Sequence, residues 1–92
     1  MQEFSIFGVC QKTGRTHTHA LREPIPCYAL SSDSFLLDRL QNMKGLHALD
    51  PTRMEVVVRA NNDIDIRFRD SHNVLLILSP IQERTQEPPT TP

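Results

Sequence analysis

Between Arg53 and Arg69 the chain follows a repeat of two residues. Met54, Val56, Val58 and Ala60 alternate with Arg53, Glu55, Val57 and Arg59. After Asn61-Asn62-Asp63 the pattern resumes, with Ile64, Ile66 and Phe68 set against Asp65, Arg67 and Arg69. Period two is the repeat of a pleated strand, whose successive side chains point to opposite faces. The segment therefore predicts two strands with one apolar face and one charged face, joined by an Asn/Asp turn. A second turn, Asp70-Ser71-His72-Asn73, leads into the continuous apolar run Val74 to Leu78. A run apolar at every position suits a strand covered on both sides. The expectation is a three-stranded antiparallel meander, ended by Pro80.

The N-terminal half supplies the rest of the sheet and the layer that covers it. Glu3 to Gln11 reads as a first strand, with Phe4, Ile6 and Cys10 on one face and Ser5, Phe7 and Val9 on the other. Both faces are partly apolar, so this strand too reads as covered on both sides. Lys12-Thr13-Gly14-Arg15 is a turn, and Thr16 to Leu21 returns as the second arm of a hairpin. Pro24 and Pro26 then make Glu23 to Ala29 a connector, with a short edge strand at Cys27-Tyr28-Ala29. Ser31-Ser32-Asp33-Ser34 offers four N-cap residues before Leu36, Leu37, Leu40 and Met43, which recur at helical spacing. With Lys44 in the last turn and Gly45 as the stop, a helix of about twelve residues, or ~18 Å, is expected. The fold class is α+β: a small antiparallel sheet, made of the N-terminal hairpin plus the meander, packed on one amphipathic helix. Residues 1–80 form this single domain. Residues 81–92, rich in Gln, Glu, Thr and Pro, read as a disordered C-terminal tail.

Such a fold leaves little room for chemistry. The chain has 92 residues, of which 38% are apolar. One thin core of that size supports a stability of about 5–10 kcal/mol and no deep enclosed cavity. The N-terminus has neither a basic segment nor a long apolar one, so a cytoplasmic protein is expected, with Cys10 and Cys27 as free thiols. Both cysteines fall in strand-like apolar surroundings, which make a thiol inert. His17 and His19 sit two apart on a strand and face one side, as two metal ligands would. A third ligand is required, and no spacing ties His47, His72, Cys10 or Cys27 to the pair, so neither a metal nor another cofactor is expected. The same histidines with Arg15 hold the groups of a small histidine-dependent phosphoesterase. In-line displacement at phosphorus wants acid and base on opposite sides, which neighbours on one strand do not give. The glycines, Gly8, Gly14 and Gly45, form no phosphate loop and flank no nucleophile.

The charged sheet face is the better candidate. Eight of the ten basic residues are arginine, the side chain of planar, forked recognition. If the alternation holds to its ends, Arg53, Arg59, Arg67 and Arg69 share a face with Glu55 and Asp65, a local surplus of positive charge on a chain of net charge −1. With Lys12 and Arg15 at the hairpin tip, this predicts a non-enzymatic interaction protein that binds a larger protein or nucleoprotein partner. Small accessory inhibitors of phage or plasmid type have this size and this lack of catalytic motifs. Direct binding of nucleic acid by the same face is the alternative, opposed by the net acidity and the scarcity of aromatics for stacking. No membrane contact is expected, and open sheet edges allow a monomer or a weak dimer.

Overall fold

The computed structural model describes residues 1–46 and 49–81. Its centre is a five-stranded sheet: β1 (Gln2–Val9), β2 (Thr16–Ile25), β3 (Met54–Val58), β4 (Ile64–Phe68) and β5 (Val74–Pro80). The spatial order is β2-β1-β5-β4-β3, and every neighbouring pair is antiparallel. The N-terminal hairpin and the meander thus meet through β1 and β5. A short helix α1 (Cys27–Leu30), the main helix α2 (Asp33–Gln41) and a 3-10 turn at Pro51–Arg53 complete the domain. The fold is α+β, as the periodicities predict, and no described helix is long and apolar enough to cross a membrane.

One face of the sheet builds the core. Phe4 and Ile6 from β1, Met54 from β3, Ile64 and Ile66 from β4, and Leu76 and Leu78 from β5 are buried together with Ile25, Ala29, Leu36, Leu37, Leu40 and Leu49. All the sheet residues of this set except Ile25 are even-numbered, as period two requires. α2 presents Leu36, Leu37 and Leu40 at i, i+1 and i+4, the apolar stripe of an amphipathic helix.

Local readings change in five places. The connector at Cys27-Tyr28-Ala29 is a helical turn instead of an edge strand, because Ala29 is drawn into the core and Ser31 closes the turn on the Tyr28 carbonyl with both its amide and its hydroxyl. β2 continues past Leu21 to Ile25 and includes Pro24. A sheet edge tolerates this, since the missing donor there faces solvent. α2 ends at Gln41, before Lys44, where the Asn42 side chain and backbone amide both donate to the Asp38 carbonyl. At its other end Ser32 stands at the N-cap, but its hydroxyl pairs with that of Ser34 and caps no helix amide. Finally, Ile81 belongs to the domain: its amide donates to the Glu3 carbonyl, and its carbonyl accepts from the Gln2 side chain. The rest of the expected tail, residues 82–92, lies outside the described residues.

Leu40 is fully buried at the contact of α2 with the sheet. Leu40→Ala is expected to destabilise the domain by about 2–5 kcal/mol, lost contact and cavity together. The urea midpoint should fall steeply while the transition stays cooperative.

Candidate interaction surface

On β1, β3 and β4 the odd-numbered residues emerge on the face away from the helices, as does Ile77 of β5; in β2 the register shifts bring the even-numbered Thr18 to that face. One row crosses the whole sheet there: Thr18, Phe7, Ile77, Asp65 and Val57 are successive cross-strand partners on β2, β1, β5, β4 and β3. Phe7, Val9, Val57 and Ile77 are half-buried and stand outside the core cluster. They explain the apolar character of both faces of β1 and β5. The expectation that these strands are covered twice is corrected: both helices serve one face, and no described element lies over the other. In an antiparallel sheet a face left to solvent is ordinarily polar. This one carries Phe7, Val9, Ile77 and Val57, with Asp65 set between the last two.

Charged pairs border the apolar row. Arg59 places Nε 3.1 Å from Asp65 and Nη2 3.3 Å from Asp63. Arg67 reaches Glu55 at 3.0 Å, directly across the β3–β4 ladder, and the His72 ring nitrogen Nδ1 meets the same carboxylate oxygen at 3.0 Å. Arg22 holds Glu3 at 2.9 Å. Asp65 is 9% exposed, the one buried charged residue among those described, and Arg59 is its counter-ion. The hydrogen bond with His72, aided by the Arg67 charge, holds the Glu55 carboxyl below the usual glutamate range.

The expected positive surplus on this face is therefore absent. Arg22, Arg59 and Arg67 stand against Glu3, Glu55, Asp63 and Asp65, so the face is close to neutral. Arg53 and Arg69 do not belong to it. β3 begins at Met54 and β4 ends at Phe68, so alternation no longer governs the two residues just outside. Arg53 instead lies over the Phe68 ring, 5.9 Å from its centroid, and Arg69 turns in the plane of the sheet to donate Nε to the Met54 carbonyl at 2.8 Å.

Four cations with no ion pair among the described residues collect at one end of the sheet. The β1–β2 turn and the β4–β5 turn lie at the same end, and Gln11 ties them together by donating to the Val9 and Val74 carbonyls. Gly14 gives the first turn its left-handed residue at φ 74°. Lys12 and Arg15 are exposed on that turn, and Arg53 and Arg69 flank the start of β3 and the end of β4. Among the described residues none of these four is in an ion pair.

The histidine readings separate. The His17 ring lies over Gly8, where an added Cβ would come within 2.6 Å of it, while His19 bonds the Lys44 carbonyl beyond the end of α2. No group of three metal-ligating side chains gathers among the described residues; His47 lies outside them. Cys10 is not shielded in a strand. It is exposed beyond the end of β1, and hydrogen bonds from the Thr13 hydroxyl and amide and from the Lys12 amide lower its thiol pKa. Cys27 is exposed as well.

Two aromatic side chains, missed by the sequence reading, stand out on the helix layer. Tyr28 is 66% and Phe35 57% exposed, edge to face with centroids 6.0 Å apart. They border a shallow groove of about 760 Å³ shared with His19 and Arg39. No family model matches the chain, and neither the curated proteins nor the solved structures contain a match to it.

The Glu55 interaction carries a pH signature. A carboxyl with a folded pKa below its unfolded value stabilises the fold fully above the ordinary glutamate range, and that stability is lost as pH falls through the lower folded value. Thermal melts of Glu55→Gln are expected to show a shallower acid limb below about pH 4.5 than wild type. Parallel acid limbs would show that the His72–Glu55–Arg67 cluster contributes nothing.

Proposed function

We propose that this chain is a non-enzymatic binding module that docks the open face of its sheet onto a larger protein. The observation that carries the reading is the set of half-buried apolar residues Phe7, Val9, Ile77 and Val57, which no described element covers, with Asp65 between Ile77 and Val57 neutralised by Arg59 and further ion pairs around them. An apolar centre with a polar, charge-compensated rim is the anatomy of a protein interface. A phosphate-binding surface needs guanidinium groups free to replace counterions, and Arg59 and Arg67 are committed to carboxylates. The cations Lys12, Arg15, Arg53 and Arg69 sit at the edge of this face, where they suit steering toward an acidic or nucleoprotein partner. The role that fits is that of an accessory protein acting by occupation of a surface, as small inhibitors of phage or plasmid type do.

Direct nucleic-acid binding is the competing reading, and it rests on that same unpaired cationic end. The two differ in what they lose. Affinity capture with wild type and with Phe7→Thr/Ile77→Thr separates them, since threonine keeps strand propensity and removes the apolar contact. The docking account predicts a protein captured by wild type at both about 50 and 200 mM salt and lost from the double variant, which still melts cooperatively. Nucleic acid retained equally by both proteins and released steeply over that salt range would overturn it.

A further inference from the structure

The two edges of the sheet are not equally protected. β2 is irregular, with two register shifts against β1 and a proline near its end. Bulges and prolines are the devices that keep an edge strand from pairing with another chain. β3, at the opposite edge, is regular, and its last residues are three valines in a row. Val58 is 63% exposed.

The hydrogen-bond parity of β3 identifies which backbone groups are free. Arg59 donates its amide to the Asp63 carbonyl, and Arg69 donates to the Arg53 carbonyl. Odd residues of β3 therefore bond inward to β4, and the amides and carbonyls of Met54, Val56 and Val58 point outward. Met54 is already capped: its amide goes to the Pro51 carbonyl and its carbonyl accepts from Arg69. What remains without a partner among the described residues is a short template of four groups, the amides and carbonyls of Val56 and Val58.

We propose that β3 is a homodimerisation edge, pairing antiparallel with β3 of a second copy about a two-fold axis at Val57. Outward-pointing residues must bond to outward-pointing residues, so only registers that pair even numbers with even numbers are allowed. The register centred on Val57 sets Val56 against Val58 of the other copy, twice, and makes four backbone hydrogen bonds. On the open face it sets Glu55 against Arg59 of the other copy, also twice, with Val57 meeting Val57 between them. Each charged partner has capacity left, because among the described residues Glu55 spends only Oε2 and Arg59 only Nε and Nη2. The neighbouring allowed registers lose this match: centred on Val56, Arg59 faces Arg53, and centred on Val58, Glu55 faces Asn61. Charge complementarity thus selects one register of a continuous ten-stranded sheet. The inference does not depend on the docking function of the open face.

Analytical ultracentrifugation of the full chain tests it by charge exchange. Wild type is expected to show concentration-dependent dimerisation. Glu55→Arg and Arg59→Glu, each alone, set like charges opposite one another at two places and should weaken the dimer about tenfold or more. An equimolar mixture of the two variants restores both pairs in a heterodimer and should associate as tightly as wild type. Val58→Pro removes only an outward amide, leaves the β3–β4 ladder whole, and should abolish association in a folded monomer. A wild type that stays monomeric at millimolar concentration, a mixture no more associated than its components, or a Val58→Pro protein that still dimerises would each overturn the proposal. If either charge variant fails to fold, Val58→Pro alone decides.

Discussion

The pairing of β1 with β5 holds the domain together. It joins the N-terminal hairpin to the C-terminal meander, matching Phe4 to Pro80, Ile6 to Leu78 and Gly8 to Leu76. Without it there are two small ribbons, neither of which buries enough apolar surface to persist in water. With it, Ile6 and Leu78 become neighbours at the centre of the sheet, fully excluded from solvent beneath α2. The Ile81 bond to Glu3 extends the same seam by one step. Closing it brings together residues about seventy positions apart. That is a slow event on loop-entropy grounds, and it places the folding barrier where the two halves meet.

Once the sheet is closed, the described helices cover only one of its faces. α2 has nine residues and α1 four, and both pack on the even-numbered face. The odd-numbered face keeps Phe7, Val9, Val57 and Ile77, residues that would suit a second layer. The ion pairs around them shield part of that surface and bury Asp65 in the process. The Arg59 charge offsets the desolvation of this carboxylate. A neutral, partly greasy sheet face and a separate cationic end are therefore products of one cause, the mismatch between five strands and a single thin helix layer.

The alternation from Met54 to Phe68 made β3, β4 and the core face legible, because side-chain direction in a strand follows from position alone. The same logic failed one residue before β3 and one residue after β4. Arg53 and Arg69 fit the pattern on paper but lie past the ladder, where a 3-10 turn and a β-turn set the side-chain directions. Charge pairing was harder to read. Glu55 opposite Arg67 is a question of register, and Arg59 with Asp63 and Asp65 is a question of rotamer, neither of which periodicity reports. The apolar odd face was visible in β1 and in the Val74 to Leu78 run. It read as doubly covered because a strand's composition does not say whether the chain has a layer left to place over it. The register shifts in β2 and the helical turn at Cys27 to Leu30 depend on tertiary contacts and left no local signal.

One asymmetry is central: the odd-numbered apolar side chains Phe7, Val57 and Ile77 meet water, and the even-numbered Ile6, Ile66 and Leu78 do not. Methyl NMR with a soluble paramagnetic relaxation agent reads this directly. Strong broadening of the Val57 and Ile77 methyl groups beside sharp signals from Ile66 and Leu78 is the predicted result. Equal protection of all four would mean that something already covers the odd face, and the proposed docking surface would not exist on the isolated protein.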